Sequence, residues 1–258
     1  MGILNMTPDS FSDGGDYEDV ERALERSKAM LEAGASVIDV GGESTRPGAQ
    51  PVEAKEELRR VIPIVRLLAE ETDALISIDT RKASVAYEAL AAGAHLVNDV
   101  TGLQDPEMVQ VCAELGVPVV IMHMQGNPQT MQKDPSYDDV TKNVLGFLQQ
   151  QAALALEAGV PAVMLDPGFG FGKKVDHNRT LLQQLKELVA LGHPVLLGAS
   201  RKSTISKVFG ELDAKERDPG TLALHLYGVL QGAAMLRVHN VAAHAQALAM
   251  WHWLENDG

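Results

Sequence analysis

Short apolar runs alternate with longer amphipathic stretches along the whole chain. Six times a helix-like stretch ends in glycine and is followed within a few residues by a run rich in Val, Ile, Leu or Met. These glycines are Gly34, Gly93, Gly116, Gly159, Gly192 and Gly232. Glycine suits the left-handed position at the end of a helix, and an apolar run without alternation is typical of a strand buried on both faces. The pattern therefore predicts parallel strands that are preceded by helices.

Eight strands are predicted in this way. Six follow the glycines, at residues 37–40, 96–97, 117–122, 162–165, 195–197 and 235–238, and two more lie at residues 2–4 and 74–78. Residues 20–32, 53–70, 140–157 and 181–191 carry apolar positions at three- and four-residue spacing, which predicts helices. A strand followed by a helix, eight times in about 250 residues, favours an α/β fold of the (β/α)8 TIM barrel type, as one domain over residues 1–258. A doubly wound open sheet is the main alternative.

Composition and charge narrow the range of partners. The chain has 258 residues, and 22 Lys and Arg against 35 Asp and Glu give a formal net charge of −13. The electrostatic field of this negative charge repels phosphate backbones and anionic lipid. We therefore expect neither nucleic acid nor a membrane as partner. Cys112 is the single cysteine, which excludes an intrachain disulfide and fits a reducing compartment. No apolar run approaches the ~20 residues that span a bilayer, and a cytoplasmic location is expected.

Polar side chains follow the predicted strands at the point where each strand ends. They include Asn5, Glu43, Thr45, Arg46, Asp79, Asn98, His123, Asp166, Ser200, Lys202, Arg237 and His239. In a barrel, the C-terminal ends of all the strands meet at one mouth, where catalytic residues lie. The alternative is that Asp79, Asn98 and Ser200 are N-caps of the helices that follow them.

Two glycine-containing segments border this mouth. Residues 166–173 match neither the P-loop spacing nor the dinucleotide fingerprint, and they form either a tight turn or a loop whose backbone approaches a flat ligand. Residues 5–15 form either a surface connection or an active-site lid. If residues 5–15 form a lid, this segment and residues 43–48 are extended active-site loops after strands 1 and 2.

The eight histidines show no spacing typical of zinc ligands, so no zinc site is expected. His95 precedes a strand and is expected to be structural. Arg237 and His239 are two residues apart on the last strand, which would place both side chains on the same face of the barrel.

Five motifs span nearly the whole chain in a fixed order. They are residues 2–15 (GILNMTPDSFSDGG), 41–48 (GGESTRPG), 166–173 (DPGFGFGK), 200–203 (SRKS) and 237–239 (RVH). Taken together, these motifs resemble those of the dihydropteroate synthase family. The resemblance implies a (β/α)8 barrel that joins 6-hydroxymethyl-7,8-dihydropterin pyrophosphate to p-aminobenzoate, with release of pyrophosphate, in folate synthesis. It also implies a homodimer.

The resemblance further implies roles for individual residues. The pterin would be bound by Asp79, Asn98, Asp166 and Lys202, p-aminobenzoate by Phe11, Thr45, Pro47 and Ser200, and pyrophosphate by Asn5, Arg46, Arg237 and His239. Asn5 would also hold a Mg²⁺ ion, which commonly keeps waters and binds substrate phosphate with one or two protein oxygens. The catalytic residues would be Asp13, Arg46 and Lys202, with Asp13 stabilising positive charge on the pterin methylene and Arg46 shielding the pyrophosphate from water. No protein nucleophile is expected.

One position departs from the pattern of the family. Asn240 follows Arg-Val-His, where the family usually has Asp. A neighbouring carboxylate favours the charged imidazole and an amide does not, so we expect a change in how His239 is held.

Two other functions stay open at this point. A pterin-dependent methyltransferase barrel shares the pterin pocket, but it would not need the segments 44–47 and 200–202. A non-catalytic paralogue would bind pterins without releasing pyrophosphate.

Overall fold

Parallel strands form the centre of the molecule. The computed structural model describes residues 1–7, 16–46 and 48–255. Within them the strands are β1 (Gly2–Asn5), β2 (Val37–Gly41), β3 (Leu75–Asp79), β4 (Leu96–Asp99), β5 (Val119–Met122), β6 (Val163–Asp166), β7 (Leu196–Leu197) and β8 (Met235–Leu236). Strands β1 to β6 pair in sequential order, and β7 pairs with β8. Every predicted strand is thus present, although β5, β7 and β8 are shorter than predicted.

Two isolated bridges close the barrel. Leu165 of β6 pairs with Val195 next to β7, and Gly2 of β1 pairs with Val238 after β8. The N–H of Ile3 donates to the Val238 carbonyl at 3.0 Å, and the N–H of Val238 donates to the Met1 carbonyl at 2.9 Å. An open sheet would leave β1 unpaired on one side, so the open-sheet alternative is wrong.

Helices follow the strands and surround the barrel. They are α1 (Asp16–Glu32), α2 (Ala54–Glu71), α3 (Ala83–Ala91), α4 (Pro106–Glu114), α5 (Val140–Glu157), α6 (Val175–Gln183), α7 (Leu185–Val189), α8 (Ser203–Phe209), α9 (Asp218–Leu230) and α10 (Val241–Glu255). The predicted helices at 20–32, 53–70 and 140–157 are confirmed. A single helix over 181–191 is wrong, because Gln184, with φ −103° and ψ 17°, separates α6 from α7. No helix within the described residues is long and apolar enough to cross a membrane.

The six glycines that end helical stretches all have positive φ angles, between 64° and 115°. This is the left-handed conformation that their position predicts. At Gly93, a Cβ would also lie 2.6 Å from the Cβ of Ala69, so this junction between helix and strand needs glycine for space as well.

Alternation along the strands separates the apolar core from the polar interior of the mouth. In β2, Ile38 and Val40 are fully buried on one face, and Asp39, also fully buried, lies on the other. Asp39 is paired in register with Ser77 of β3, so both side chains project from the same face of the sheet. This face is the inward one, because Asp39 contacts Arg237 from the far end of the chain.

Candidate active site

A cavity of about 470 Å³ opens at the C-terminal ends of the strands. Nine of the polar residues that the sequence singles out line it, namely Asn5, Glu43, Thr45, Arg46, Asp79, Ser200, Lys202, Arg237 and His239. The closed barrel therefore brings together side chains that are spread from residue 5 to residue 239. Phe11, Asp13 and Pro47 lie outside the described residues, and their roles stay predictions.

Asn98 and Asp166 are buried beneath the cavity and do not form part of its wall. The side-chain amide of Asn98 donates to Asp39 at 3.2 Å. Asp166 accepts a hydrogen bond from the N–H of Gly168 at 2.7 Å. A Cβ at Gly198, which lines the cavity, would stand 3.5 Å from Asp166 Oδ2, so this carboxylate lies directly behind the wall at Gly198.

Asp79, Asn98 and Ser200 are not N-caps. The first two belong to β3 and β4. The N-cap positions of α3, α4 and α8 are held by Lys82, Asp105 and Lys202. The capping alternative is therefore wrong.

Arg237 lies between two carboxylates inside the mouth. Its Nε donates to Asp39 Oδ2 at 2.6 Å, and a terminal nitrogen donates to Asp79 Oδ2 at 2.6 Å. Burial raises the pKa of Asp79 although Arg237 opposes the shift. Burial alone would lower the pKa of Arg237, but Asp39 and Asp79 raise it, so the guanidinium keeps its charge. Asp39 was not predicted from the sequence, where its only signal is a carboxylate within an apolar strand.

Lys202 places a titratable amine beside these charges. Its Nζ lies over the ring of Phe171, 3.7 Å from the ring centroid. Burial, followed by the charge of Arg237, lowers the pKa of Lys202 to about 7, while Asp166 and Asp79 oppose the shift. The amine can therefore exchange a proton near neutral pH and can donate a hydrogen bond in either state.

Ser200 and His239 form a second pair at the mouth. The Ser200 hydroxyl lies 2.9 Å from His239 Nδ1 and accepts from the backbone N–H of His239 at 3.1 Å. Burial, together with the charges of Arg201 and Arg237, lowers the pKa of His239 to about 3, so the ring is neutral at pH 7. The side-chain amide of Asn240 donates to Asp218 instead of contacting this ring. Ser200 therefore holds the imidazole, and the side chain of Asn240 is directed to Asp218.

The glycine-rich loop after β6 is anchored from within by Lys173. This buried amine lies 3.0 Å from His123 Nδ1 and donates to the carbonyls of His123 and Phe171 at 3.2 and 3.0 Å. Burial lowers the pKa of Lys173 to about 7. Gly170 and Phe171 of this loop line the cavity. The segment is thus a wall of the site, and its buried lysine is a second feature that was not predicted from the sequence.

Charged side chains attach the segment after β2 to the turn between β3 and α3. Glu43 accepts from Arg81 at 2.9 Å and from Lys82, and Lys82 also pairs with the buried Glu57 of α2. Glu43 begins the segment that carries Thr45 and Arg46, so this network fixes the base of that segment.

Asn5 is the predicted metal ligand. No group of three or more His, Cys, Asp or Glu is arranged to hold a metal ion within the part of the chain that is described. Asn5 lines the cavity and offers one amide oxygen. Such a donor fits Mg²⁺ when phosphate oxygens and water fill its other positions.

Comparisons with known proteins agree with this geometry. The family model of the pterin binding enzymes matches residues 1–239. A dihydropteroate synthase from Synechocystis sp. is 48% identical over an alignment of 258 positions, which covers 97% of this chain and 89% of that protein. The structure of dihydropteroate synthase from Thermus thermophilus in complex with 4-aminobenzoate is similar with a TM-score of 0.90 and 49% identity, covering 98% of this chain and 93% of that one. The same enzyme in complex with 6HMPPP gives a TM-score of 0.86 and 48% identity, with the same coverage.

Proposed function

The chain belongs to the family of pterin binding enzymes, and we propose that it is a dihydropteroate synthase. It would condense 6-hydroxymethyl-7,8-dihydropterin pyrophosphate with p-aminobenzoate to give 7,8-dihydropteroate and pyrophosphate. The observation that carries the proposal is one cavity that combines a buried carboxylate, Asp79, with the cations Lys202 and Arg46. A pterin needs hydrogen-bond acceptors and pyrophosphate needs cations, and this wall supplies both.

The pterin would lie deepest in the site. Its ring edges carry N–H groups, from which the carboxylates of Asp79 and Asp166 and the amide oxygen of Asn98 would accept hydrogen bonds. Lys202 would donate to the pterin carbonyl from the side of the Phe171 ring. These carboxylates come from separate strands, so the barrel itself sets their spacing.

The second substrate would lie closer to the opening. Thr45 and Ser200 line the cavity and would contact p-aminobenzoate, together with Phe11 and Pro47. The ring and the backbone N–H of His239 both contact the Ser200 hydroxyl, and these contacts would hold it in place for the second substrate.

Pyrophosphate would bind among Asn5, Arg46, Arg237 and His239. Arg46 is exposed at the rim and can close over the leaving group, whereas Arg237 is already paired with two carboxylates and would act through its charge. The oxygen of Asn5 would hold Mg²⁺, which when bound would offset negative charge on the pyrophosphate.

The reaction requires no protein nucleophile. The bond between the pterin methylene carbon and the pyrophosphate oxygen breaks, and its electron pair leaves with pyrophosphate. The amine nitrogen of p-aminobenzoate forms the new C–N bond and loses one proton. Lys202 and Arg46 would stabilise the charges that develop, and Asp13 would stabilise the cationic methylene.

We also propose a homodimer. Large apolar side chains are exposed on three successive helices, α8 to α10, and they are Val208, Phe209, Tyr227, Leu230, Met250, Trp253 and Leu254. Contiguous apolar patches mark interfaces between proteins, and we infer that these side chains form one. Sedimentation of the purified protein at micromolar concentration should give twice the chain mass of 27.7 kDa. A monomer at these concentrations would refute this part of the proposal.

The activity is tested by pyrophosphate release. Purified protein receives the pterin pyrophosphate and Mg²⁺, with and without p-aminobenzoate. Release that depends on p-aminobenzoate and matches dihydropteroate formed in a one-to-one ratio supports the synthase. Tight pterin binding without product would instead indicate a non-catalytic paralogue.

A further inference from the structure

Arg201 has an unusual backbone conformation at a critical place in the site. Its φ of 56° lies in the left-handed region, which residues other than glycine rarely adopt. It separates Ser200 from Lys202, and all three residues line the cavity. A left-handed residue changes the chain direction, so the conformation of Arg201 decides how its two neighbours are oriented. Such a conformation persists only where surrounding contacts enforce it.

Those contacts come from the start of α9 and the turn before it. The N–H of Arg201 donates to the buried Thr221 hydroxyl at 2.9 Å, and its carbonyl accepts from Arg217 at 3.1 Å. The guanidinium makes a bidentate ion pair with Asp218, at 2.6 and 2.8 Å. The backbone and the side chain of one residue are thus held by three neighbours on one helical segment.

Asp218 makes a second link, to the turn after β8. Its Oδ2 accepts from the side-chain amide of Asn240 at 3.0 Å. Asn240 directly follows His239, whose ring contacts Ser200. The hydrogen bond from Arg201 lowers the pKa of Asp218, so the carboxylate stays ionised. Asp218 therefore connects the turn after β7 to the turn after β8 without itself lining the cavity.

We propose that Asp218 is a positioning residue that holds Arg201 in its left-handed conformation and so directs Ser200 and Lys202 into the site. This inference rests on the proposed function, because the two directed side chains are those assigned to p-aminobenzoate and the pterin. It also accounts for Asn240, whose amide can donate to Asp218 where a carboxylate could not.

The first test is steady-state kinetics of Asp218→Asn. The substituted amide keeps the size of the side chain but loses the charged bidentate pair. We expect kcat/KM for p-aminobenzoate to fall at least tenfold, with thermal unfolding still a single transition. The matched control is Glu71→Gln, which alters an exposed ion pair with Lys28 at 3.2 Å and should leave kcat/KM within twofold. Unchanged kinetics in Asp218→Asn would overturn the proposal.

A second background separates positioning from a general loss of stability. Arg201→Gly adopts the left-handed conformation without an anchor. In that background, adding Asp218→Asn should change kcat/KM less than twofold, since the residue through which Asp218 acts is gone. A further tenfold loss would show that Asp218 acts by another route and would also overturn the proposal.

Hydrogen exchange tests the contact without any use of activity. In Asp218→Asn without substrates, the peptide that covers residues 199–203 should exchange at least tenfold faster than in the wild type, whereas Glu71→Gln should match the wild type. An unchanged exchange rate would refute the positioning role. If the wild type forms no dihydropteroate but exchange responds as expected, the proposed function fails and the control of the turn by Asp218 stands.

Discussion

Gly168 lies directly against the backbone of His123. A Cβ at residue 168 would stand 1.8 Å from the His123 carbonyl oxygen, and Gly168 has a φ of +67°. The N–H of the same glycine donates to Asp166. The close approach of two backbone segments therefore orients one of the carboxylates assigned to the pterin.

Gly168→Ala should consequently be severe. We expect the free energy of unfolding to fall by about 4 kcal/mol or more, because both the space and the φ angle exclude a side chain. Gly116→Ala is the matched control, since Gly116 has a φ of +64° and no atom within 4 Å of the added Cβ. The free energy of unfolding of this control should fall by about 1 kcal/mol, because only the left-handed conformation opposes its side chain. Urea unfolding of both variants measures the difference, and equal losses would contradict the steric argument.

Arg237→Met should destabilise the fold. It leaves the fully buried Asp39 and the buried Asp79 without their counter-charge, which costs about 3–5 kcal/mol. The control Lys28→Met removes one partner of an exposed pair and should cost less than about 1 kcal/mol. Guanidinium unfolding distinguishes them. A loss below about 1 kcal/mol for Arg237→Met would mean that the two carboxylates do not depend on this cation.

Lys202→Ala and Asp166→Asn should each remove most turnover while the fold survives. Groups that stabilise developing charge typically contribute about 10²- to 10³-fold in kcat. Because burial lowers the pKa of Lys202, its charge is unfavourable to the fold, and Lys202→Ala should unfold at a melting temperature close to that of the wild type. Turnover within twofold of the wild type in either variant would remove that residue from the mechanism.

Acid should destabilise the fold through buried neutral histidines. Nε2 of His225 accepts from the N–H of Ala199 at 3.0 Å, and Nδ1 lies 2.9 Å from His244 Nε2. Burial lowers the pKa of His225 to about 3, against about 6.5 in the unfolded chain. Between these values the unfolded chain binds more protons, so stability falls as the pH falls, by up to about 1.4 kcal/mol per pH unit for this residue.

His225→Gln tests this dependence, because the carboxylates titrate equally in both proteins. Urea unfolding between pH 6 and 4 gives the slope of the unfolding free energy against pH. This slope should be smaller in the variant, by the amount that corresponds to about one bound proton. Equal slopes would show that His225 takes up a proton without unfolding.

Asn5→Ala should raise the Mg²⁺ concentration needed for half-maximal rate by about tenfold or more, since it removes the one protein oxygen assigned to the ion. Calorimetry of Mg²⁺ binding to the protein saturated with pyrophosphate should show the same loss of affinity. An unchanged Mg²⁺ dependence would assign the ion to the phosphates alone.

Local patterns in the sequence account for the strands, the helix ends and the polar mouth. Nearby residues decide the positive φ angles of Gly34 and Gly93, and they also decide the burial of Ile38 and Val40. The periodicity of the sequence is therefore enough to predict these features. The predicted structural role of His95 is confirmed in the same way, since its Nδ1 accepts from the N–H of Ile76 at 3.1 Å.

Long-range pairing could not be predicted. Asp39 and Arg237 are 198 positions apart, and only closure of the barrel brings them within 2.6 Å. The same holds for the contact between Lys173 and His123 and for the ion pair between Asp218 and Arg201. In the sequence, neither Lys173 nor Asp218 has a recognisable partner. The sequence by itself thus determined the alternation of strands and helices and the residue types at the mouth, because both depend on spacing along the chain. Which charges neutralise each other, and which backbone approaches exclude a side chain, were decided only in three dimensions, because these energies depend on distances between strands.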